Sequence, residues 1–183
     1  MIKKIFEDFL KNSRHEFEYK WNPKETGGKT MIYKDAIDNY KPQLNDVSLF
    51  ENELPIYECL LENGNYSLIT TDRVFSRFRN VLCSFTHKET RGILGLLRHY
   101  NSFENFNTPT DLYLMVTCDA CCVFFEVEGR YPSMFFIDLL LSIRRVKFDF
   151  EGILEAPFEE IPNLDLHKIS EEWKKLSFIH PIL

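Results

Sequence analysis

The dipeptide Asn63-Gly64 constrains the fold of this chain more than any other feature of its sequence. It lies between residues 55–61 and 66–71, two stretches with the composition of β-strands. Asn-Gly is the strongest short-range signal for a β-hairpin, because both residue types tolerate the positive φ angles of a tight turn. The sequence therefore predicts that these two stretches pair as antiparallel strands.

Four more strands are predicted, two before and two after an interval that lacks strand composition. Stretches with strand composition are residues 73–79, 81–86, 111–117 and 121–128. Thr71-Asp72 supplies a turn before the first of them. Together with the hairpin, they predict an antiparallel sheet or a bent barrel of about six or seven strands.

Two segments have the spacing of helices. The first places Ile2, Ile5, Phe6, Phe9 and Leu10 on one face of an amphipathic helix at the N-terminus. The second follows Gly129, and its apolar face consists of Phe135, Phe136, Leu139, Leu140, Ile143 and Val146. We predict an α+β fold in which this second helix caps the sheet. Residues 1–150 form a single domain, and residues 151–183 form a C-terminal acidic arm packed on the core.

The composition excludes several classes of protein. A chain of 183 residues with 44% hydrophobic residues is long enough for one sizeable core. Its longest apolar stretch, residues 134–143, contains Asp138 and is too short for a bilayer span, and its N-terminus alternates apolar and charged residues unlike a secretion signal. Five cysteines, an odd number, favour free thiols. We therefore expect a cytoplasmic protein without a membrane span.

Charge is segregated along the chain. The net charge is −6, yet residues 73–99 hold six arginine and lysine side chains against one acid, Glu89. Residues 151–183 hold seven acids against three lysines. An acidic chain does not favour general nucleic-acid binding, so the basic segment suggests a more selective acidic or anionic partner.

The basic segment contains the candidate binding residues. Because side chains alternate along a strand, Arg73, Phe75, Arg77 and Arg79 are predicted to lie on one face, where they would bind a partner or an anion. Aromatic residues and arginine are enriched at protein interfaces. The alternative is that the arginines pair with acids of the neighbouring hairpin, such as Glu58 or Glu62.

One stretch of ten residues resembles a known family. In two respects the chain resembles the bacterial pleckstrin-homology-like domains. Its predicted elements follow the order helix, antiparallel strands, closing helix, and it contains the sequence Tyr66-Ser67-Leu68-Ile69-Thr70-Thr71-Asp72-Arg73-Val74-Phe75. In those domains an apolar strand ends in Thr-Asp or Thr-Asn, with an arginine close behind. The resemblance implies a bent barrel of about seven strands and recognition of an anionic lipid headgroup or phosphate. The N-terminal region and the segment after residue 150 depart from the family pattern.

Three cysteines are close together at Cys118, Cys121 and Cys122. A Cys-x-x-Cys pair supplies two of the four ligands of a structural zinc site, and no second pair is present in the sequence. Buried cysteines that act as small apolar residues are the more common case. We therefore predict no metal and no cofactor, with these three residues as the candidate ligands if a metal is bound.

No catalytic motif is present, and no catalytic residue is assigned. Glu126 and Glu128 share a strand face, as paired catalytic carboxylates would, but solvated acids on an exposed face are the alternative. His87 and His99 have no nucleophile at the spacing of a known motif. An enzyme with a dispersed site stays open as a hypothesis and is not favoured.

The leading functional hypothesis is a non-catalytic module that binds another protein. Its specific form is a small, acidic, immunity-like protein that neutralises a toxin, since an acidic surface steers a cationic partner toward itself. The alternatives are recognition of an anionic lipid or phosphate by a pleckstrin-homology-like domain, and an enzyme with a dispersed site.

Overall fold

The α+β class is confirmed by the computed structural model, which describes residues 1–12, 29–36, 39–98, 110–117, 122–129 and 131–148. These residues form two helices and eight strands. In chain order they are α1 (Ile2–Asn12), β1 (Thr30–Ile32), β2 (Pro55–Leu60), β3 (Tyr66–Thr70), β4 (Arg73–Phe78), β5 (Val81–Thr86), β6 (Thr90–Arg98), β7 (Thr110–Thr117), β8 (Cys122–Glu128) and α2 (Tyr131–Phe148).

The strands form two antiparallel sheets. One has the order β1-β2-β3-β4-β5 and the other β6-β7-β8. The sequence pattern did not predict β1 or β6. The first has only three residues, and the second contains Gly92 and Gly95, which lie at shifts of its register with β7. Glycine is uncommon in strand interiors except at such irregularities, so the composition of β6 concealed it.

The predicted hairpin is confirmed as β2 and β3, but its turn is not a two-residue Asn-Gly turn. The backbone N–H of Leu61 bonds to the carbonyl of Asn65 at 2.9 Å, and that of Gly64 bonds to the carbonyl of Leu61 at 2.9 Å. Gly64 alone in this turn has a positive φ, 81°. This is the pattern of a three-residue loop with glycine in the left-handed region.

The two sheets pack closely where their side chains are small. Ser67 and Ser76 are paired across β3 and β4, and both are buried. The hydroxyl of Ser76 donates to the carbonyl of Phe124 at 2.5 Å, and that of Ser67 donates to the carbonyl of Glu126 at 3.4 Å. Both acceptors belong to β8. The serines therefore satisfy backbone groups of the second sheet while allowing its close approach.

Both helices contribute to the main core. As predicted, Ile2, Ile5, Phe6 and Phe9 are buried, but Leu10 is 58% exposed. Phe9 stacks on Phe135 of α2 with ring centroids 5.1 Å apart. Asp8 and Arg145 form an ion pair of 2.7 Å between the same two helices. An apolar contact and an ion pair thus hold α1 against α2.

The five-stranded sheet is also covered on the face that points away from the main core, which we call its outer face. Leu44 and Val47, which precede β2, pack in a second core with Tyr66, Leu68 and Phe75. The segment before β2 therefore buries the sheet face on which the candidate arginines of β4 lie. This arrangement determines which of them are accessible.

The predicted acidic arm, residues 151–183, lies outside the described residues, so the proposed domain boundary stays a prediction. Among the residues that are described, neither helix is long and apolar enough to cross a membrane.

Candidate functional site

The predicted row of side chains on β4 contains three residues rather than four. Arg73, Phe75 and Arg77 share the outer face of the strand. The prediction that Arg79 lies on this face is wrong, because β4 ends at Phe78, which pairs with Val81. Arg79 and Asn80 have φ angles of 50° and 64° and form a two-residue hairpin turn. Positive φ at both central residues matches the turn geometry favoured by two-residue hairpins.

Arg73 is part of the fold. Its Nε lies 3.1 Å from both carboxylate oxygens of Glu53, and its Nη2 lies 2.6 Å from Oε2. The Glu53 side chain is fully buried, and the Arg73 side chain is 15% exposed. The guanidinium also lies 3.9 Å from the ring centroid of Phe50 and 4.6 Å from that of Phe75.

These contacts place Arg73 and Phe75 within the packing of the fold, whereas the sequence predicted them on a binding surface; their role in binding stays a prediction. Arg73 already has a bidentate carboxylate partner, and Phe75 is buried in the second core. The alternative prediction named the wrong acids. Glu62 pairs instead with Lys29 at 3.2 Å. Glu53 was missed because it precedes β2 and meets Arg73 only through the fold.

Glu58, the other acid named as a partner, lies buried on the outer face of β2. Its carboxylate accepts hydrogen bonds from the hydroxyls of Tyr66 at 2.6 Å and Tyr33 at 2.7 Å, and from the backbone N–H of Gln43 at 2.8 Å. Burial, reinforced by this carboxylate, raises the pKa of both phenols. The phenols therefore remain protonated donors, and the cluster fastens the segment before β2 to the sheet.

Arg77 and Arg79 are placed differently from Arg73. Nε of Arg77 donates to the carbonyl of Gly64 at 3.0 Å, and its side chain is half-buried, while Arg79 is exposed. No carboxylate among the described residues forms an ion pair with either arginine. Both cations are thus available to an acidic group from another molecule.

Apolar side chains lie beside Arg79, on the face of β4 opposite to Arg77. The guanidinium of Arg79 is 5.3 Å from the ring centroid of Phe78, whose ring is 5.4 Å from that of Phe124. Val81 is 63% exposed. We refer to Arg77, Phe78, Arg79 and Val81 as the hairpin surface. The sequence analysis missed Phe78 and Val81, because it treated the turn as a continuation of the strand.

A buried carboxylate from the other sheet positions the hairpin surface. Glu126 accepts hydrogen bonds from the side-chain amides of Asn63 at 2.9 Å and Asn65 at 2.5 Å. The carbonyl oxygen of the Asn65 side chain in turn accepts the backbone N–H of Arg79 at 2.9 Å. The two turns are therefore linked to each other and to β8.

Glu128 has a similar structural role. It is 4% exposed, and its Oε2 accepts the backbone N–H groups of Lys29 at 3.0 Å and Thr30 at 3.1 Å. For Glu126 and Glu128, the sequence analysis gave exposure to solvent as the alternative to a catalytic pair. Both side chains are instead buried. Cys59 lies buried in the same region, and burial raises the pKa of its thiol to about 11. A thiol that stays protonated at neutral pH is a poor nucleophile.

His87 is buried beneath the end of α2. Its Nε2 lies 2.9 Å from the carbonyl of Thr70, which only accepts, so the proton is on Nε2. Lys147 donates to the carbonyl of Thr71 and to Asp72, each at 2.6 Å, and Arg144 donates to the carbonyl of His87 at 2.8 Å. Burial, opposed by the Thr70 bond, lowers the pKa of His87 to about 4.

This environment gives a pH prediction. Between pH 6.5 and about 4 the unfolded chain binds a proton at His87 that the folded chain does not, so stability falls as the pH falls through this range. The full shift corresponds to about 3 kcal/mol. His87→Gln, which is neutral throughout, should lose less stability over that range than the wild type. Urea unfolding at pH 7 and pH 4.5 measures the difference, and equal losses in both proteins would contradict it.

The neighbouring Asp72 does not cause a loss of stability over the same pH range. Burial raises the pKa of its carboxylate, but the hydrogen bonds from Lys147 and Thr71 outweigh burial and lower it, so Asp72 titrates below this range.

The other candidate catalytic and metal-binding residues do not form a common site in the described part of the chain. His87 and the two acids of β8 have separate partners, and His99 lies outside the description. Cys118 and Cys121 also lie outside it, and for Cys122 only the backbone is described. Within the described part of the chain, no three side chains of His, Cys, Asp or Glu are placed to hold a metal ion.

Comparison with known proteins adds no assignment. No protein-family model, curated protein or solved structure matches this chain. The candidate site therefore depends on the geometry of the hairpin surface.

Proposed function

We propose that this chain is a non-catalytic module that binds another protein through its hairpin surface. The observation that carries the proposal is the pair Arg77 and Arg79. These two cations have no carboxylate partner among the described residues. The guanidinium of Arg79 also lies 5.3 Å from the ring centroid of Phe78, whose strand partner Val81 is exposed. Arginine next to an aromatic side chain is a typical composition for the energetic centre of an interface.

The charge of this surface favours an acidic patch on the partner. The whole chain carries −6, but charges separated by more than about 8 Å are largely screened at physiological ionic strength. At contact distance, the two arginines therefore outweigh acids elsewhere on the molecule. Neutralisation of a toxin is the specific form of this function that we propose. The toxin then presents an acidic patch to the hairpin surface, rather than the cationic surface that the net charge of −6 alone suggests.

Affinity capture tests the proposal. The tagged full-length chain is incubated with lysate of its source organism, and the retained proteins are quantified by mass spectrometry. We expect a stoichiometric partner that Arg77→Glu/Arg79→Glu loses by about tenfold or more, because each reversed charge meets an acid directly. Higher salt should weaken its retention.

A matched control separates local from net charge. Lys3→Glu/Lys4→Glu changes the net charge by the same amount on an exposed part of α1. It should retain the partner as the wild type does. Loss of the partner from both double variants, or from neither, would contradict a binding site on the hairpin surface. Circular dichroism of each variant verifies that it is folded.

The same two arginines support one second candidate, recognition of an anionic headgroup or phosphate. This candidate is weaker than the sequence analysis suggested, because Arg73 is bound to Glu53 and does not add to the site. Flotation with vesicles containing anionic lipid distinguishes the two candidates. Binding to these vesicles that Arg77→Glu/Arg79→Glu abolishes, together with an empty capture, would favour the lipid.

A further inference from the structure

The hairpin surface continues into an open edge of the five-stranded sheet. β5 is the last strand in that sheet, and β4 is its partner on one side only. Its other side carries no strand among the described residues. Unpaired backbone groups on such an edge are a template for pairing with another chain.

The register shows which backbone groups point outward. In a two-residue hairpin the flanking residues, here Phe78 and Val81, form a hydrogen-bonded pair, and such pairs then alternate along the ladder. The bond from His87 N–H to the carbonyl of Asp72, 3.3 Å long, fits this alternation. Leu82, Ser84 and Thr86 therefore direct their N–H and C=O groups away from β4.

Only two of these three residues remain available. The N–H of Thr86 donates to the carboxylate of Glu89 at 2.5 Å, and its carbonyl accepts the N–H of Glu89 at 3.0 Å. No described residue bonds the outward backbone groups of Leu82 or Ser84. Within the described part of the chain, one end of the edge is thus closed and the end next to the hairpin surface is open.

This edge also lacks the features that normally protect one. Native edge strands carry lysine, proline or a bulge, and β5 has none of these over its six residues. Ser84 is exposed, and Val81 is 63% exposed. An uncharged strand with open backbone groups is suited to accept an additional strand.

We propose that an extended acidic segment of a protein partner adds to β5 as a further strand. Two strand spacings, about 10 Å, separate β4 from a strand added beyond β5. Arg79 is exposed at the turn next to the open end of β5, where an acid at the end of the added strand can reach it. The Arg77 side chain is directed to the carbonyl of Gly64, on the side of β4 away from β5. Backbone bonds supply affinity, and Arg79 selects an acidic residue at the adjacent end of the added strand. This inference rests on the proposed function, because it gives the hairpin surface its mode of binding.

A synthetic peptide tests this mode of binding directly. The probe is about ten residues of alternating Glu and Val, within the usual length of a strand. It is titrated into the ¹⁵N-labelled full chain, and the backbone amides are followed by NMR. We expect the amide resonances of Leu82 and Ser84 to shift, and their amide protons to exchange more slowly with solvent. Alternating Lys and Val should bind more weakly.

Two independent changes remove the backbone bonds while leaving the charges. N-methylation of alternate residues of the probe deletes its donors along one edge, and Ser84→Pro deletes an outward donor of β5 at a position where an edge strand tolerates proline. Each should weaken binding by about tenfold. Ser84→Thr keeps the N–H and should bind as the wild type does.

The outcomes separate this inference from the proposed function. Binding that resists N-methylation but is lost in Arg77→Glu/Arg79→Glu would overturn strand addition while leaving the hairpin surface as a binding site. Absence of any shift at Leu82 and Ser84 would also overturn it, and capture of a partner from lysate would still test the surface separately. Self-association that Ser84→Pro abolishes, and that the probe does not displace, would assign the edge to a second copy and overturn the acidic partner. If Ser84→Pro fails to fold, the N-methylated probe still decides the question.

Discussion

Replacement of Glu53 by alanine is expected to lower the free energy of unfolding by about 3–5 kcal/mol. The variant removes the carboxylate that Arg73 contacts in a bidentate pair, and it leaves a largely buried guanidinium without its counter-ion. The backbone N–H of Phe50 loses its acceptor as well, and the hydroxyl of Thr70 loses one of its two acceptors. Urea denaturation followed by circular dichroism measures the change.

Glu62→Ala is the matched control for this prediction. Glu62 also forms an ion pair, with Lys29 at 3.2 Å, but its side chain is 85% exposed. Exposed pairs contribute between about 0 and 1 kcal/mol, so its removal should hardly alter stability. A similar small effect for Glu53→Ala would show that Arg73 is not tied to the fold and would return it to the candidate binding residues.

Phe136→Ala is expected to have an effect of the same size, about 3–5 kcal/mol, because it opens a cavity in the main core. The Phe136 ring is fully buried and contacts three aromatic rings: Tyr57 with centroids 5.5 Å apart, Phe125 at 5.3 Å and Tyr113 at 5.6 Å. These rings come from β2, β8 and β7. The residue therefore joins α2 to both sheets.

Leu10→Ala tests whether burial causes that loss. Leu10 is a large apolar residue on α1 with 58% of its surface exposed, and alanine preserves helix propensity. Its replacement should change the free energy of unfolding by no more than about 0.5 kcal/mol. A loss for Phe136→Ala as small as this would mean that α2 does not pack against both sheets as the structure describes.

The sequence predicted the elements that depend on local signals. The Asn-Gly turn located β2 and β3, and apolar residues at helical spacing located both α1 and α2. The α+β class follows from these elements. β6 escaped prediction because two glycines interrupt its composition, and such interruptions occur where the partner strand, not the local sequence, maintains the pairing.

The candidate site depended on contacts between distant residues, and the sequence predicted it less well. Arg73 and Arg77 are equivalent in the strand pattern, yet only Arg73 meets a buried acid, which lies 20 residues away in sequence. Glu126 and Glu128 alternate as solvated residues would, yet the β2–β3 turn covers Glu126 and the start of β1 covers Glu128. Arg79 was placed on the strand because the Asn80 turn gives only a weak sequence signal without a following glycine.

The three arginines of the basic segment therefore differ in their surroundings. Arg73 stabilises the contact between β4 and the segment before β2, while Arg77 and Arg79 have no acidic partner in the described chain. Variants of Arg73 should lose stability, and variants of the other two should lose binding. This division is the basis of the proposed protein-binding surface.

Hydrogen–deuterium exchange of the full chain, alone and with its captured protein partner, tests this surface most directly. The account predicts that bound partner slows exchange of the backbone amides of residues 77–84, with the largest change at Leu82 and Ser84, whose N–H groups point outward. Protection confined to other parts of the chain, with unchanged exchange over residues 77–84, would contradict it.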